Sequence, residues 1–174
     1  MYYRHYAQRV QSLVLADTFS GGRSRSEEAR QQNLQMRLRM AEEDPVEMSR
    51  KRAPALLSPH APAQLVDEVA SIAAERHAEG YRIAAIASSE ADTRDVHPTI
   101  RVPTLVIWGE FDGVTSRDEA ELMRDRIPGA HLIVIPGAGH VSNQEQPVQF
   151  NDAVRTFLRS GRPSPATAAR TAPY

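Results

Sequence analysis

Three short apolar runs punctuate this chain: Leu13-Val14-Leu15-Ala16, Val102 to Trp108, and Leu132 to Ile135. Turn residues close each one, Asp17-Thr18 after the first, Gly109 after the second and Pro136-Gly137-Ala138-Gly139 after the third. Brief continuous runs bounded in this way predict buried strands. Between the first and second runs, from Ser20 to about Val96, apolar residues thin out, arginines and acids alternate, and helical spacing dominates. There, Ser26 to Met40 predicts a charged amphipathic helix with Leu34 and Leu38 four apart and Ala41 next along the face. Pro45, Pro54, Pro59 and Pro62 then break the chain into short pieces. A second helix is expected from about Ala63 to Ala78, with Leu65, Val69, Ile72 and Ala73 on one stripe and Gly80 ending it. A third, over Tyr81 to Ala91, is expected to turn Ile83 and Ile86 inward, and His97-Pro98 marks the return to the strand-bearing part.

The flanks carry three more helical patterns. Met1 to Arg9 has Tyr3, Tyr6, Ala7 and Val10 at helical spacing, and Ser116 to Ile127 points Ala120, Met123 and Ile127 to one side. The last begins near Pro147, a favoured first-turn residue, and is expected to bury Phe150, Val154, Phe157 and Leu158. From Gly161 onward the chain is too poor in core residues to fold and reads as a disordered tail. Four segments follow: a core start over 1–19, a helical stretch over 20–97, a core end over 98–160 and a tail over 161–174.

Composition narrows the chemistry. A hydrophobic share of 41% and a charged share of 25% suit an ordinary soluble globular chain, and the net charge of −1 gives no electrostatic case for nucleic acid or an anionic membrane. No apolar run approaches the roughly 20 residues of a membrane helix, and the charged, aromatic N-terminus does not read as a signal peptide, so a cytoplasmic protein is expected. With no cysteine, disulfides, thiol catalysis and cysteine-ligated metal are excluded. Lys51 is the sole lysine among 21 basic residues, a usage associated with a GC-rich bacterial genome. His5, His60, His77, His97 and His131 are scattered without metal-ligand spacing, so no metal site is expected.

The candidate chemistry sits where the second and third runs end. Asp112 follows Gly109 in the loop, and His140 stands just past Gly139, which places both on loops at the carboxyl ends of strands. Asp17, after the first run, is an alternative acid. Ser20 in F-S-G-G is the one serine near a strand end followed by glycines, but it lacks a preceding glycine; Ser142 reads as a helix-approach residue. Arg23 and Arg25 could meet an acidic substrate, with solvated arginines the default reading, and Trp108 reads as core.

I-R-V-P-T-L-V-I-W-G-E-F-D at Ile100 to Asp112, I-P-G-A at Ile127 to Ala130, G-A-G-H at Gly137 to His140 and E-Q-P at Glu145 to Pro147 together resemble the α/β-hydrolase fold family, most closely its 3-oxoadipate enol-lactonase-like and small esterase members. The resemblance covers nearly everything from Met1 to about Arg159. It implies a partial α/β-hydrolase sheet of about three parallel strands with flanking helices, plus a helical cap formed by residues 20–97. It further implies attack by serine on an ester or lactone carbonyl, with Asp112 orienting His140, and no cofactor.

The family's nucleophile lies in a G-x-S-x-G elbow, and no such string occurs in this sequence. M-Y-Y-R-H-Y-A-Q-R-V resembles the helix that follows the elbow, so the serine is expected roughly four residues before Met1, with Met1 an internal residue of a longer ancestor. The chain is thus expected to be a C-terminal portion, inactive alone, whose small-molecule ester or lactone would bind only once an N-terminal half completes it. The alternative is a non-catalytic binding or regulatory remnant, or one half of a split enzyme, associating through the exposed edge of Ser12 to Ala16. The same scaffold also hosts carbon–carbon hydrolases, dehalogenases and haloperoxidases, which the sequence does not separate.

Overall fold

A computed structural model of the chain describes residues 2–161, so that the expected tail, beyond Gly161, lies outside the described residues. The three apolar runs form β1 (Leu13–Ala16), β2 (Thr104–Gly109) and β3 (His131–Ile135), a parallel sheet in the order β1-β2-β3. Leu13 lies opposite Thr104 across one pairing and Leu105 opposite His131 across the other. β2 is buried along its whole length, as befits a central parallel strand covered on both faces.

The helices are α1 (Tyr2–Tyr6), α2 (Glu27–Glu42), α3 (Pro45–Arg52), α4 (Ala63–Ala74), α5 (Ala78–Glu90), α6 (Arg117–Arg126), α7 (Ser142–Glu145) and α8 (Pro147–Ser160). The described residues divide into two compact units. A sheet unit takes the residues up to Phe19, Leu56–His60 and those from Asp95 on; a helical unit takes Ser20–Ala55 and Ala61–Arg94.

Alternation along the strands sorts the sheet unit's core into two layers. Val106, Trp108 and Leu132 face Ala120 and Met123 of α6 and Ile127 just past its end, together with Tyr3 and Ile100. Leu105, Ile107, Ile133 and Ile135 face Ala153 and Phe157 of α8. Ser116 caps α6 by accepting the Glu119 amide at 3.3 Å. Pro147 opens α8, and Gly161, left-handed at φ 67°, closes it with an N–H donated to the Phe157 carbonyl at 2.7 Å. Leu158 is 60% exposed rather than buried, because Phe150, Ala153 and Phe157 already fill the inward face and the next position falls beyond its edge.

The helical unit pairs α2 with α5 and α3 with α4. Pro45 starts α3 rather than breaking the chain: it occupies the first turn, where no N–H is needed, and Asp44 accepts the Val46 and Glu47 amides at 3.0 and 2.9 Å. The junction expected at Gly80 falls earlier, at Glu75 to His77. Tyr81 donates its N–H to the His77 carbonyl at 2.9 Å, which puts Gly80 inside α5. Ile83 and Ile86 accordingly point outward, 58% and 39% exposed, and Ala85 and Ser89 occupy the inward stripe; Ile72 of α4 is also exposed, at 51%. Small residues win those positions because they allow close helix approach, and Ser89 accepts from Arg30 of α2 at 3.4 Å. Arg23 is engaged by Glu90 through its side chain and backbone carbonyl. Among the described residues no helix is long and apolar enough to cross a membrane.

Candidate active site

The loops after β2 and β3 are built to touch. A Cβ at Gly109 would stand 2.1 Å from the Gly139 carbonyl oxygen and 2.7 Å from that of Ala138, so only glycine fits there. Phe111 donates its N–H to the Ala138 carbonyl at 2.8 Å, and Glu110 accepts the Gly137 amide at 2.9 Å. Gly137 turns the chain with φ 73°, which delivers His140 beside the β2 loop.

Asp112 and His140 meet there. The His140 Nδ1 lies 3.0 Å from Asp112 Oδ2, with the aspartate side chain fully buried and the imidazole 24% exposed. The second Asp112 oxygen accepts the Val114 and Thr115 amides at 2.7 and 2.9 Å, and the Thr115 hydroxyl donates to Oδ2 at 2.5 Å. Burial pushes the Asp112 carboxyl up, but hydrogen bonds from His140, Thr115 and Val114 outweigh it and hold the group below the ordinary aspartate value. An ionised carboxylate only accepts, so Nδ1 carries the proton and Nε2 of the neutral ring is left as a base.

Asp17, the alternative acid, is committed elsewhere. Its Oδ1 accepts the Gly109 amide at 3.0 Å, and its Oδ2 accepts the Ser142 hydroxyl at 2.6 Å and amide at 3.2 Å. It stands at φ 45°, a left-handed backbone that aspartate tolerates better than most residues. Burial raises its carboxyl above the ordinary value despite those bonds, and the nearby Asp112 charge adds to the rise. Ser142 opens α7 with its hydroxyl spent on Asp17. Ser20 is buried in the helical unit, with its carbonyl accepting from Thr93. Trp108 is 8% exposed and donates its indole N–H to the Thr115 carbonyl at 3.0 Å, a core role.

Two features escaped the sequence reading. Thr115 supplies both a hydroxyl and an amide to Asp112; the string Asp-Gly-Val-Thr, with a hydroxyl three residues past the acid, is the signal that was available. Glu145 accepts from the Gly139 amide six residues before it and from Ser58, 87 positions away, a contact that no local pattern announces. Among the described residues no group of three or more His, Asp or Glu side chains is arranged to hold a metal ion.

Comparison with known proteins gives a consistent picture. The TAP-like protein family, an α/β-hydrolase family, matches residues 78–169. The chain is 35% identical over 96 residues to 3-oxoadipate enol-lactonase 2 of Acinetobacter baylyi, a match covering 55% of this chain and 36% of that enzyme. Its fold superimposes on a thermophilic esterase from Thermogutta terrifontis with a TM-score of 0.80 at 30% identity, covering 92% of this chain and 60% of the esterase. A hydrolase from Pseudomonas aeruginosa PA01 gives 0.77 at 29%, covering 90% and 58%. The chain thus spans about three fifths of these solved enzymes' length.

Proposed function

The chain belongs to the α/β-hydrolase family, and from that premise we propose that it is the acid- and histidine-bearing portion of a serine hydrolase acting on a carboxylic ester or lactone. The observation that carries this reading is the 3.0 Å contact between His140 Nδ1 and a fully buried Asp112 carboxylate, which leaves Nε2 free to take a proton. G-x-S-x-G occurs nowhere in the sequence, so the nucleophile comes from protein outside this chain, and this chain alone does not turn over esters. The helical insertion between β1 and β2, expected over residues 20–97, serves as the cap through Ser20–Ala55 and Ala61–Arg94.

The reaction then runs as follows. Serine Oγ attacks the carbonyl carbon as its proton passes to His140 Nε2, forming a tetrahedral intermediate with negative charge on the former carbonyl oxygen. Its collapse breaks the ester C–O bond, and the leaving oxygen takes the proton from Nε2. Water attacks the acyl-serine, again giving its proton to Nε2, and collapse returns that proton to serine Oγ and releases the acid. Asp112 stays ionised throughout and stabilises the imidazolium.

β1 supports a specific form of the partner reading. It is a sheet edge, paired on one side by β2, and each of its residues is only partly buried. A further strand added there would complete the sheet. The test is hydrolysis of a p-nitrophenyl ester by the purified 174-residue chain, and by whichever longer or paired product the native host makes. Expected is no turnover for the chain and turnover lost on His140→Ala for the longer product. Turnover by the chain alone that depends on His140 overturns the placement of the nucleophile; a longer product that neither hydrolyses esters nor reacts with a fluorophosphonate overturns the hydrolase reading.

A further inference from the structure

His140 is set by its loop, and that loop is held from an unexpected side. Leu56–His60 lies in the middle of the helical insertion in sequence, yet it packs with the sheet unit as a five-residue strap. Leu57 approaches so closely that a Cβ at Gly139 would stand 2.6 Å from its carbonyl carbon. The Leu56 carbonyl accepts the Val141 amide at 3.3 Å. The strap therefore touches the residue on each side of His140.

Glu145 closes the arrangement. Its Oε2 accepts the Gly139 amide at 2.8 Å and the Ser58 amide at 3.0 Å, and its Oε1 receives the same Ser58 amide at 3.1 Å together with a short bond from the Ser58 hydroxyl. Leu57 and Ser58 are buried, at 5% exposure each. Both carboxylate oxygens thus meet only donors, and two of the groups are backbone N–H, which cannot reverse their role. An amide in place of the carboxylate would turn an NH2 toward at least one of them.

We propose that Glu145 is a positioning residue for His140: its carboxylate binds the strap Leu56–His60 to the amide preceding the histidine and so fixes the direction in which the imidazole leaves the loop. The consequence for catalysis rests on the hydrolase reading, while the positioning itself does not. A simple anchoring role for the start of α8 would predict lost stability with an unchanged imidazole. The positioning role predicts that the His140–Asp112 bond loosens even where the fold survives.

The test uses the whole chain and reads the proton on His140 Nδ1 by NMR, a resonance assigned by its loss in Asp112→Asn. In Glu145→Gln this resonance is expected to vanish through faster exchange or to move upfield, with native far-ultraviolet circular dichroism and native Trp108 fluorescence retained. Glu145→Asp, which keeps the charge but draws it back by one methylene, should recover part of the signal. Ser58→Ala, which removes one donor only, should shift it by less. A wild-type resonance in a folded Glu145→Gln overturns the proposal. If that variant does not fold, a wild-type resonance in Ser58→Ala overturns it. No ester turnover enters the readout, so failure of the hydrolase reading would leave this result standing and the reverse also holds.

Discussion

Two aspartates, Asp112 buried and Asp17 partly buried, lie at the ends of neighbouring strands and are pushed in opposite directions. Asp112 collects four donors and ionises more readily than an ordinary aspartate, whereas burial outweighs the bonds made to Asp17. Their links to stability therefore differ in sign. What Asp112 contributes is present above the ordinary value of 3.8 and disappears as pH falls through its lowered folded value. Asp17 favours the folded state fully below 3.8, and that contribution is lost as pH rises through its raised value. In melts from about pH 3 to about pH 7, the Tm of Asp17→Asn relative to wild type should thus climb with pH over the window above 3.8. For Asp112→Asn the same difference should fall over the window below 3.8, and parallel curves for the two variants would contradict the assignment. If the proposed function holds, Asp112→Asn in an ester-hydrolysing longer or paired product is expected to lower kcat on the order of 10⁴-fold, since the wrong tautomer of His140 is then favoured. A loss below about tenfold would hand the orienting role to another acid. The G-E-F-D string singled out Asp112 over Asp17, and Asp112 is the one that faces His140; what the string could not announce is that Ser142 and Gly109 occupy both oxygens of Asp17, contacts from distant parts of the chain.

At the scale of elements, legibility followed the steepness of the burial pattern. β2 and β3 are continuous apolar runs between turn residues, and α6 carries a cap and a clean inward stripe, so each was readable to within a residue or two. Within the insertion α2 was readable to within two residues, but the end of α4 and the start of α5 were not, and the inward stripe of α5 is made of alanine and serine. Ile72, Ile83 and Ile86 look like a core to any reading by hydrophobicity, yet Ala85 and Ser89 take the inward positions. Such a face is chosen by how closely two helices can approach, which depends on the partner helix and not on the helix itself. α8 offers a sharp test of the opposite case. Phe157 is 1% exposed against Leu105, Ile107, Ile133 and Ile135, while its neighbour Leu158 stands 60% exposed. Phe157→Ala should cost about 3–5 kcal/mol in urea unfolding, and Leu158→Glu should stay within about 0.5 kcal/mol. Comparable losses at the two positions would mean that α8 is rotated from the orientation described.

The two units differ in what can hold them together. The sheet unit buries Ile100, Leu105, Val106, Ile107, Trp108, Met123, Ile127, Ile133, Ile135 and Phe157, whereas the helical unit buries Met48 and Val69 among alanines. At about 25 cal/mol per Å² of apolar surface, a core of alanines stabilises far less than one of isoleucine, leucine and phenylalanine. The helical unit adds charge pairs, Arg30 to Glu27 and Glu90 and Arg23 to Glu90, but pairs screened by solvent contribute little and weaken with salt. Unfolding should therefore not be a single step. Trp108, the one tryptophan, reports on the sheet unit alone, while α2, α3, α4 and α5 hold most of the helical signal outside α6 and α8. In urea, circular dichroism at 222 nm should lose a large first fraction before Trp108 fluorescence moves, and added salt should bring that first fraction to lower denaturant. Coincident transitions by both probes would show instead that the chain, whose insertion leaves the sheet unit after β1, returns to it in sequence at Leu56–His60 and rejoins it before β2, unfolds as one cooperative body.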